Sequence, residues 1–222
     1  MSADSGVSTF RDANGLWHNH RIEDVATPAA WNKNPELVLE LYNQRRRQLF
    51  EVEPNAGHLA LAALQEHFDV RVVTQNVDDL HERAGSKHVL HLHGELRKAR
   101  SLAYPELVYD WPGDLHIGDR CERGAQLRPH IVWFGEAVPM LSAAASEMAE
   151  ADLILVVGTS LLVYPAAGLI AYAPLDAPIW YMDPNPAPNY ELRQVRNLTI
   201  IAQRAAVALP EWADQIAKQY TS

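Results

Sequence analysis

Residues 74–95, TQNVDDLHERAGSKHVLHLHGE, decide how this chain folds, because they set amide, carboxylate and imidazole groups between two short apolar runs. On the amino side, Val70 to Val73 reads as a buried strand of a parallel sheet. Thr74, Gln75 and Asn76 then emerge at its carboxyl end, where open α/β sheets place their ligands. Val77 to Ala84 predicts one short helix, capped by Asn76 or Asp78 and closed by Gly85. Val89 to Leu92 is strand-like again and delivers His93, and Gly94 leaves the following backbone unencumbered.

Outward from that stretch, Pro54 to Phe68 predicts a helix leading into the first strand. Downstream the alternation is regular: strand His130 to Phe134, helix Met140 to Glu150, strand Leu153 to Val157 and helix Tyr164 to Tyr172. Strands Ile179 to Met182 and Leu198 to Ala202 follow, then a terminal helix from about Pro210. Strands alternating with helices at this spacing imply an α/β, Rossmann-like parallel sheet covered by helices on both faces. Two segments interrupt it. Residues 21–54 shift toward Trp, His, Pro and Arg and predict a helical insertion, with its best helix from Pro35 to Phe50. Residues 98–126 carry Pro105, Pro112, Gly113, Gly118 and Gly124 and read as irregular. The expected division is a nucleotide-binding domain of residues 1–20, 55–97 and 127–222, and a small domain built from the two insertions.

With 222 residues and 48% hydrophobic content, the chain can bury one large core, or one core with a small accessory module. Its net charge of −9 argues against nucleic acid or an anionic membrane as partner and favours a lysine-rich peptide. The single cysteine, Cys121, excludes an internal disulfide and fits a reducing cytoplasm, the expected location. No signal peptide is expected ahead of the fold. The apolar tract Leu153 to Ala173 is broken by Gly158, Thr159, Ser160, Pro165 and Gly168, and reads as strand, turn and helix rather than a membrane span.

Taken alone, Tyr42 and Arg45 share a helix face as a packed tyrosine beside a solvated arginine, and Arg45, Arg46 and Arg47 read as a solvated basic face. His91 and His93 stand two apart on one strand and project to the same side, an arrangement that can ligate zinc in a metal hydrolase. No third ligand of matching register accompanies them. His81, His88 and His91 read as structural.

Several loops fall at carboxyl ends of predicted strands: TQNVD at 74–78, HGE at 93–95, FGE at 134–136, GTS at 158–160 and DPNP at 183–186. In this order, with SGVSTFRDANGLW near the start, PNAGHLALAAL before the core strand and LRPHIVWFGEAVP after the second insertion, they resemble the sirtuins, NAD-dependent protein-lysine deacylases. The resemblance covers essentially the whole chain. It implies that His93 is the general base for a ribose hydroxyl, work that suits an imidazole with an ordinary pKa of ~6.5. It implies that Gln75 and Asn76 hold the nicotinamide ribose and that Asp78 binds the nicotinamide amide. Phe10 and Arg11 match the loop that screens the reactive carbon from water. Gly158, Thr159 and Ser160 match the turn at the cofactor's phosphate and adenosine ribose, Asp183 a ribose position where the family usually has asparagine, and Ala205 a position near the adenine. Val132, the FGE loop (Phe134, Gly135, Glu136) and Val163 match segments that take the substrate peptide as an added strand.

EDVATP followed by YNQRRR resembles the class that removes acidic acyl groups. Ala26 enlarges the acyl pocket there, and Tyr42 with Arg45 match the YxxR signature for a succinyl or malonyl carboxylate. Two departures stand out. The family's structural zinc rests on two CxxC pairs, but Ser101, Tyr104, Cys121 and Gly124 occupy the matching positions, so no zinc is expected. The family's first strand and TGAG turn are missing from the sequence ahead of Met1, and a misassigned start or a truncation is expected. That departure keeps a second reading open, a non-catalytic module that binds acyl-lysine or ADP-ribose.

Overall fold

The computed structural model describes residues 1–7, 16–17 and 20–220. Short strands β1 (Leu16–Trp17) and β2 (His20–Arg21) pair antiparallel and lead into helices α1 (Ile22–Val25), α2 (Pro28–Lys33) and α3 (Pro35–Gln48). Next come α4 (Ala56–Ala63), β3 (Arg71–Thr74), α5 (Leu80–Ala84) and β4 (His88–His91), and then β5 (Gly94–Ser101), β6 (Val108–Asp110) and β7 (Leu127–Ile131). The last third holds α6 (Leu141–Ala149), β8 (Ile154–Val157), β9 (Ile179–Met182), α7 (Tyr190–Arg193), β10 (Leu198–Ile201) and α8 (Ala205–Tyr220).

Parallel pairing is present, but in two sheets among the described residues. Strand β3 pairs with β4, and β8, β9 and β10 pair in the order β10-β9-β8. Between β3 and β8 lies a cleft of about 460 Å³, walled by Val72, Val73, Ile154 and Val156 and by Trp212 and Ile216 of α8. The single sheet expected from the alternation is therefore divided, because no described strand spans the gap.

One predicted strand joins a different sheet. His130 to Phe134 was expected in the parallel sheet, yet the strand is Leu127–Ile131 and it pairs antiparallel with β5, which also pairs antiparallel with β6. Strand β5 itself escapes the sequence pattern because GELRKARS buries Leu96, Ala99 and Ser101 among charged residues and shows no apolar run. Gly94 is required where β5 begins, since its φ is +84° and a Cβ would strike the His130 carbonyl. The predicted helix Tyr164 to Tyr172 is a 3₁₀ segment over Ala166–Tyr172. Helix α8 begins at Ala205, five residues before the expected start, and carries Pro210 inside it.

The two insertions share one core, in which Val38, Leu41 and Tyr42 of α3 meet Leu96, Leu115, Cys121 and Leu127. Asn43 locks them together: its Nδ2 donates to the Leu115 carbonyl at 2.9 Å, and its Oδ1 accepts from the Leu115 N–H at 2.9 Å and from Arg46 at 2.7 Å. Arg46 Nε also donates to the Leu96 carbonyl at 2.7 Å. The basic run is thus not a solvated face. Arg45 and Arg46 are buried because α3 is covered on two sides, and only Arg47 reaches outward, to Glu40 and Asp114.

Candidate active site

The carboxyl end of β3 and the turn after β4 build the centre of the site. His93 Nδ1 lies 3.1 Å from the Gln75 carbonyl, which fixes the proton on Nδ1 and leaves Nε2 as the basic nitrogen. Burial lowers the His93 pKa and that bond partly opposes it, so the ring is neutral at pH 7. His91 is spent on structure. Its Nε2 meets Glu82 at 2.7 Å and its Nδ1 meets the Asn76 carbonyl at 3.2 Å, so the two imidazoles grip adjacent carbonyls. Burial works to lower the His91 pKa, but Glu82 raises it on balance.

Asn76 donates from Nδ2 to the Ser2 hydroxyl at 2.8 Å. Asp78 is buried and accepts from the Leu80 N–H at 3.3 Å. Burial raises its pKa, and the Ser2 hydroxyl and Leu80 N–H oppose the shift. Helix α5 therefore starts at Leu80 rather than Val77, because residues 77–79 are drawn into this polar turn. Across the cleft, Gln75 Nε2 reaches Thr159 Oγ1 at 3.3 Å, which joins the ends of β3 and β8.

On the β8 rim, Gly158 has φ +60° and is exposed, with Thr159 and Ser160 beside it. A Cβ on Gly158 would meet the Met1 amino nitrogen, so this turn admits only glycine. Tyr181 donates to the Thr159 carbonyl at 3.0 Å. Asp183 follows β9 and accepts from the Asn185 N–H at 2.8 Å. Ala205 is buried at the start of α8, its carbonyl 3.1 Å from where a Cβ on Gly57 would stand. An exposed glycine turn, two hydroxyls and a carboxylate along one row of strand ends fit the phosphate and ribose groups of a dinucleotide. Phe10 and Arg11 lie outside the described residues.

On the other side, Tyr42 and Arg45 are 1% and 4% exposed. Burial raises the Tyr42 pKa, opposed first by Arg45, and lowers that of Arg45 to about 10, opposed by Tyr42 and Asp78. Arg45 thus lies within electrostatic reach of both. The segment 132–135 ties this side to the base: Val132 N–H donates to the His93 carbonyl at 2.9 Å, and Phe134 N–H to the Ala26 carbonyl at 3.0 Å. Ala26 is buried, whereas Phe134 and Gly135 are exposed. The Glu136 carboxylate is instead taken by Arg128, Arg100 and the Trp133 N–H. Val163 is exposed on the segment after β8, and its carbonyl accepts from the Ala167 N–H at 2.9 Å. Sequence reading missed Ser2 and the Arg128–Arg100 pair. A lone serine gives no signal, and the arginines matter only because the turn after β7 brings Glu136 back to them.

These strand ends define an α/β nucleotide-binding fold with a neutral imidazole, His93, at its rim. A family model described as the Sir2 family matches residues 1–165, and the chain belongs to that family. An NAD-dependent protein deacylase of Helicobacter pylori is 56% identical over 211 residues, 95% of this chain and 91% of its own length. One from Bacteroides thetaiotaomicron is 49% identical over 204 residues, covering 89% of this chain and 87% of its own length. Among solved structures, a Sir2 homologue in complex with NAD superposes with a TM-score of 0.86 at 37% identity, over 98% of this chain and 86% of its own.

Proposed function

We propose that this chain is an NAD-dependent protein-lysine deacylase, which converts an acyl-lysine, NAD and one water to free lysine, nicotinamide and an O-acyl-ADP-ribose. The observation that carries it is His93, held neutral with Nε2 free of the Gln75 bond, on the same rim as Asn76, Asp78 and the Gly158–Ser160 turn. NAD, when bound, supplies the ribosyl carbon that accepts the acyl oxygen as nicotinamide leaves. His93 takes the ribose hydroxyl proton. Gln75 and Asn76 hold the ribose, Asp78 the carboxamide, and Phe10 and Arg11 exclude water. Thr159, Ser160, Asp183 and Ala205 serve the adenosine half, and Val132, Phe134, Gly135 and Val163 flank the peptide.

The acyl preference extends to succinyl and malonyl groups. Tyr42 and Arg45 are buried together, a hydroxyl and a forked guanidinium whose donors suit an acyl carboxylate, and the small Ala26 side chain is buried as well. Mass spectrometry of acetyl-, succinyl- and malonyl-lysine peptides with NAD tests this. Arg45→Met and Tyr42→Phe should cut succinyl turnover about tenfold to a hundredfold, the worth of a charge-assisted bond, and spare acetyl turnover. Equal losses on both peptides refute the clamp.

The 98–126 module holds together by packing and needs no zinc. Ser101 Oγ accepts from the Tyr104 N–H at 3.2 Å, and Cys121 packs into the shared core. Purified protein should carry less than stoichiometric zinc and keep its activity after chelation. The working compartment is the cytoplasm, with no nucleic acid or anionic membrane as partner, a reading supported by the net charge of −9. A non-catalytic binding module is the second reading, favoured by the Asn76 bond to Ser2 at the mouth of the cleft. Acyl-peptide binding without NAD consumption would select it.

A further inference from the structure

The turn after β7 is held by a buried ion cluster. Arg128 Nη1 donates to Glu136 at 2.6 Å and its Nη2 at 3.1 Å, and Arg100 Nη2 reaches the same carboxylate at 3.2 Å. The Trp133 N–H completes it at 2.8 Å. The Arg128 side chain is 6% exposed and that of Glu136 20%, so the cluster faces the protein rather than a bound peptide. Arg128 also donates to the Ile131 carbonyl at 2.9 Å and lies flat on the Trp133 ring, 3.3 Å from its centroid. Trp133 is buried against Trp31 and faces the Tyr42 hydroxyl. The side-chain restraints on residues 131–136 thus converge on the Arg128 guanidinium and the Glu136 carboxylate. Two further bonds hang on that segment, from Val132 to His93 and from Phe134 to Ala26.

We infer that Glu136 and Arg128, assisted by Arg100, are positioning residues: their buried cluster sets residues 132–135 at a fixed distance from both the base and the acyl pocket, and so governs acyl-peptide affinity. A bidentate arginine pair fixes direction as well as distance, which a backbone turn with an exposed glycine at φ +89° does not do alone. A buried guanidinium robbed of its counter-ion must move, and the turn moves with it. The inference rests on the deacylase reading for the identity of the peptide, and it departs from a role for Glu136 in touching that peptide.

The test uses the full chain as Glu136→Gln, Arg128→Met, their double variant and the milder Arg100→Met, with an acetyl-lysine peptide. Glu136→Gln should raise the peptide KM tenfold or more, leave the NAD KM within twofold and leave the midpoint of the pH–rate profile unmoved. The double variant should be no worse than the poorer single, because both remove one cluster. Arg100→Met, which keeps the main pair, should give a smaller shift of the same kind and serves if Glu136→Gln does not fold. A peptide KM within twofold of the unmodified protein, or an equal rise in the NAD KM, overturns the inference while turnover by the unmodified protein upholds the deacylase reading. Where the unmodified protein binds the peptide without turnover, the deacylase reading fails, and the same tenfold loss is read in the peptide Kd by fluorescence polarisation. An unchanged Kd there overturns the inference.

Discussion

His93 owes its state to two opposed influences, burial that disfavours the charged ring and a bond to the Gln75 carbonyl that favours it, and burial wins. In the proposed reaction His93 is the base, and a base must be unprotonated to act. Its depressed pKa therefore keeps it competent to lower pH than a free imidazole, and the acid limb of kcat/KM, which reports the free enzyme, should have its midpoint below ~6.5. A limb centred above 7 would mean that His93 is charged in the resting site. His93→Ala should abolish turnover by at least about a hundredfold, the usual worth of a positioned base, and leave acyl-peptide binding within twofold by fluorescence polarisation. His93, Gln75 and Asn76 were legible from the sequence because polar residues directly after an apolar run mark a strand end. The employment of His91 by Glu82 was not, since the pairing partner sits nine residues earlier on α5.

At the level of elements, α4 carries a pH sensitivity that its sequence does not advertise. His58 is the capping-box partner of Asn55: its Nδ1 accepts from the Asn55 N–H at 3.2 Å, and its ring stacks edge-on against His81, 4.9 Å away. Burial pushes His58 down to about 3 and His81 to about 4. In the unfolded chain both protonate near ~6.5, so the unfolded state binds more protons through that window. Stability is full above ~6.5 and is lost as pH falls, at up to about 1.4 kcal/mol per pH unit for each ring. His91, raised by Glu82, acts in the opposite sense, and His130, pushed by burial to about 4, adds to the loss. Thermal melts from pH 7 to 4.5 should show Tm falling with acid, and His58→Asn, which keeps the acceptor, should flatten the slope. A Tm independent of pH over that range counts against it. Asn43→Ala removes the tie between α3 and Leu115 and strands buried polar groups, at a cost of about 2–3 kcal/mol in urea unfolding. Helix α3 was legible from Pro35 at its first turn, and the structure adds Asn34 as its side-chain cap. Strand β5 was not, because in a sheet of mixed burial its charged residues alternate with small or apolar ones and break the apolar run that marks a buried strand.

For the whole molecule, the alternation of strands and helices revealed the α/β class, but pairing partners are a tertiary property, and the division into two parallel sheets follows from the space between β3 and β8. Strand β9 is hydrogen-bonded on both edges, by β8 and β10, whereas β3 has only β4 and β8 only β9 among the described residues. Backbone groups facing a cleft of about 460 Å³ can be reached by water, while those between two strands exchange only through wider opening. Amides of Val72, Val73, Val156 and Val157 that point into the cleft should thus exchange with deuterium at least tenfold faster than those of Trp180 and Tyr181. Gln75, which bridges to Thr159, ties the two sheets at one end only, so the rates should fall toward Thr74 and Val157. Gln75→Ala should erase that gradient without changing β9. Uniform protection across β3, β8 and β9 would show that the two sheets behave as one continuous sheet in solution, and would overturn the open-cleft account.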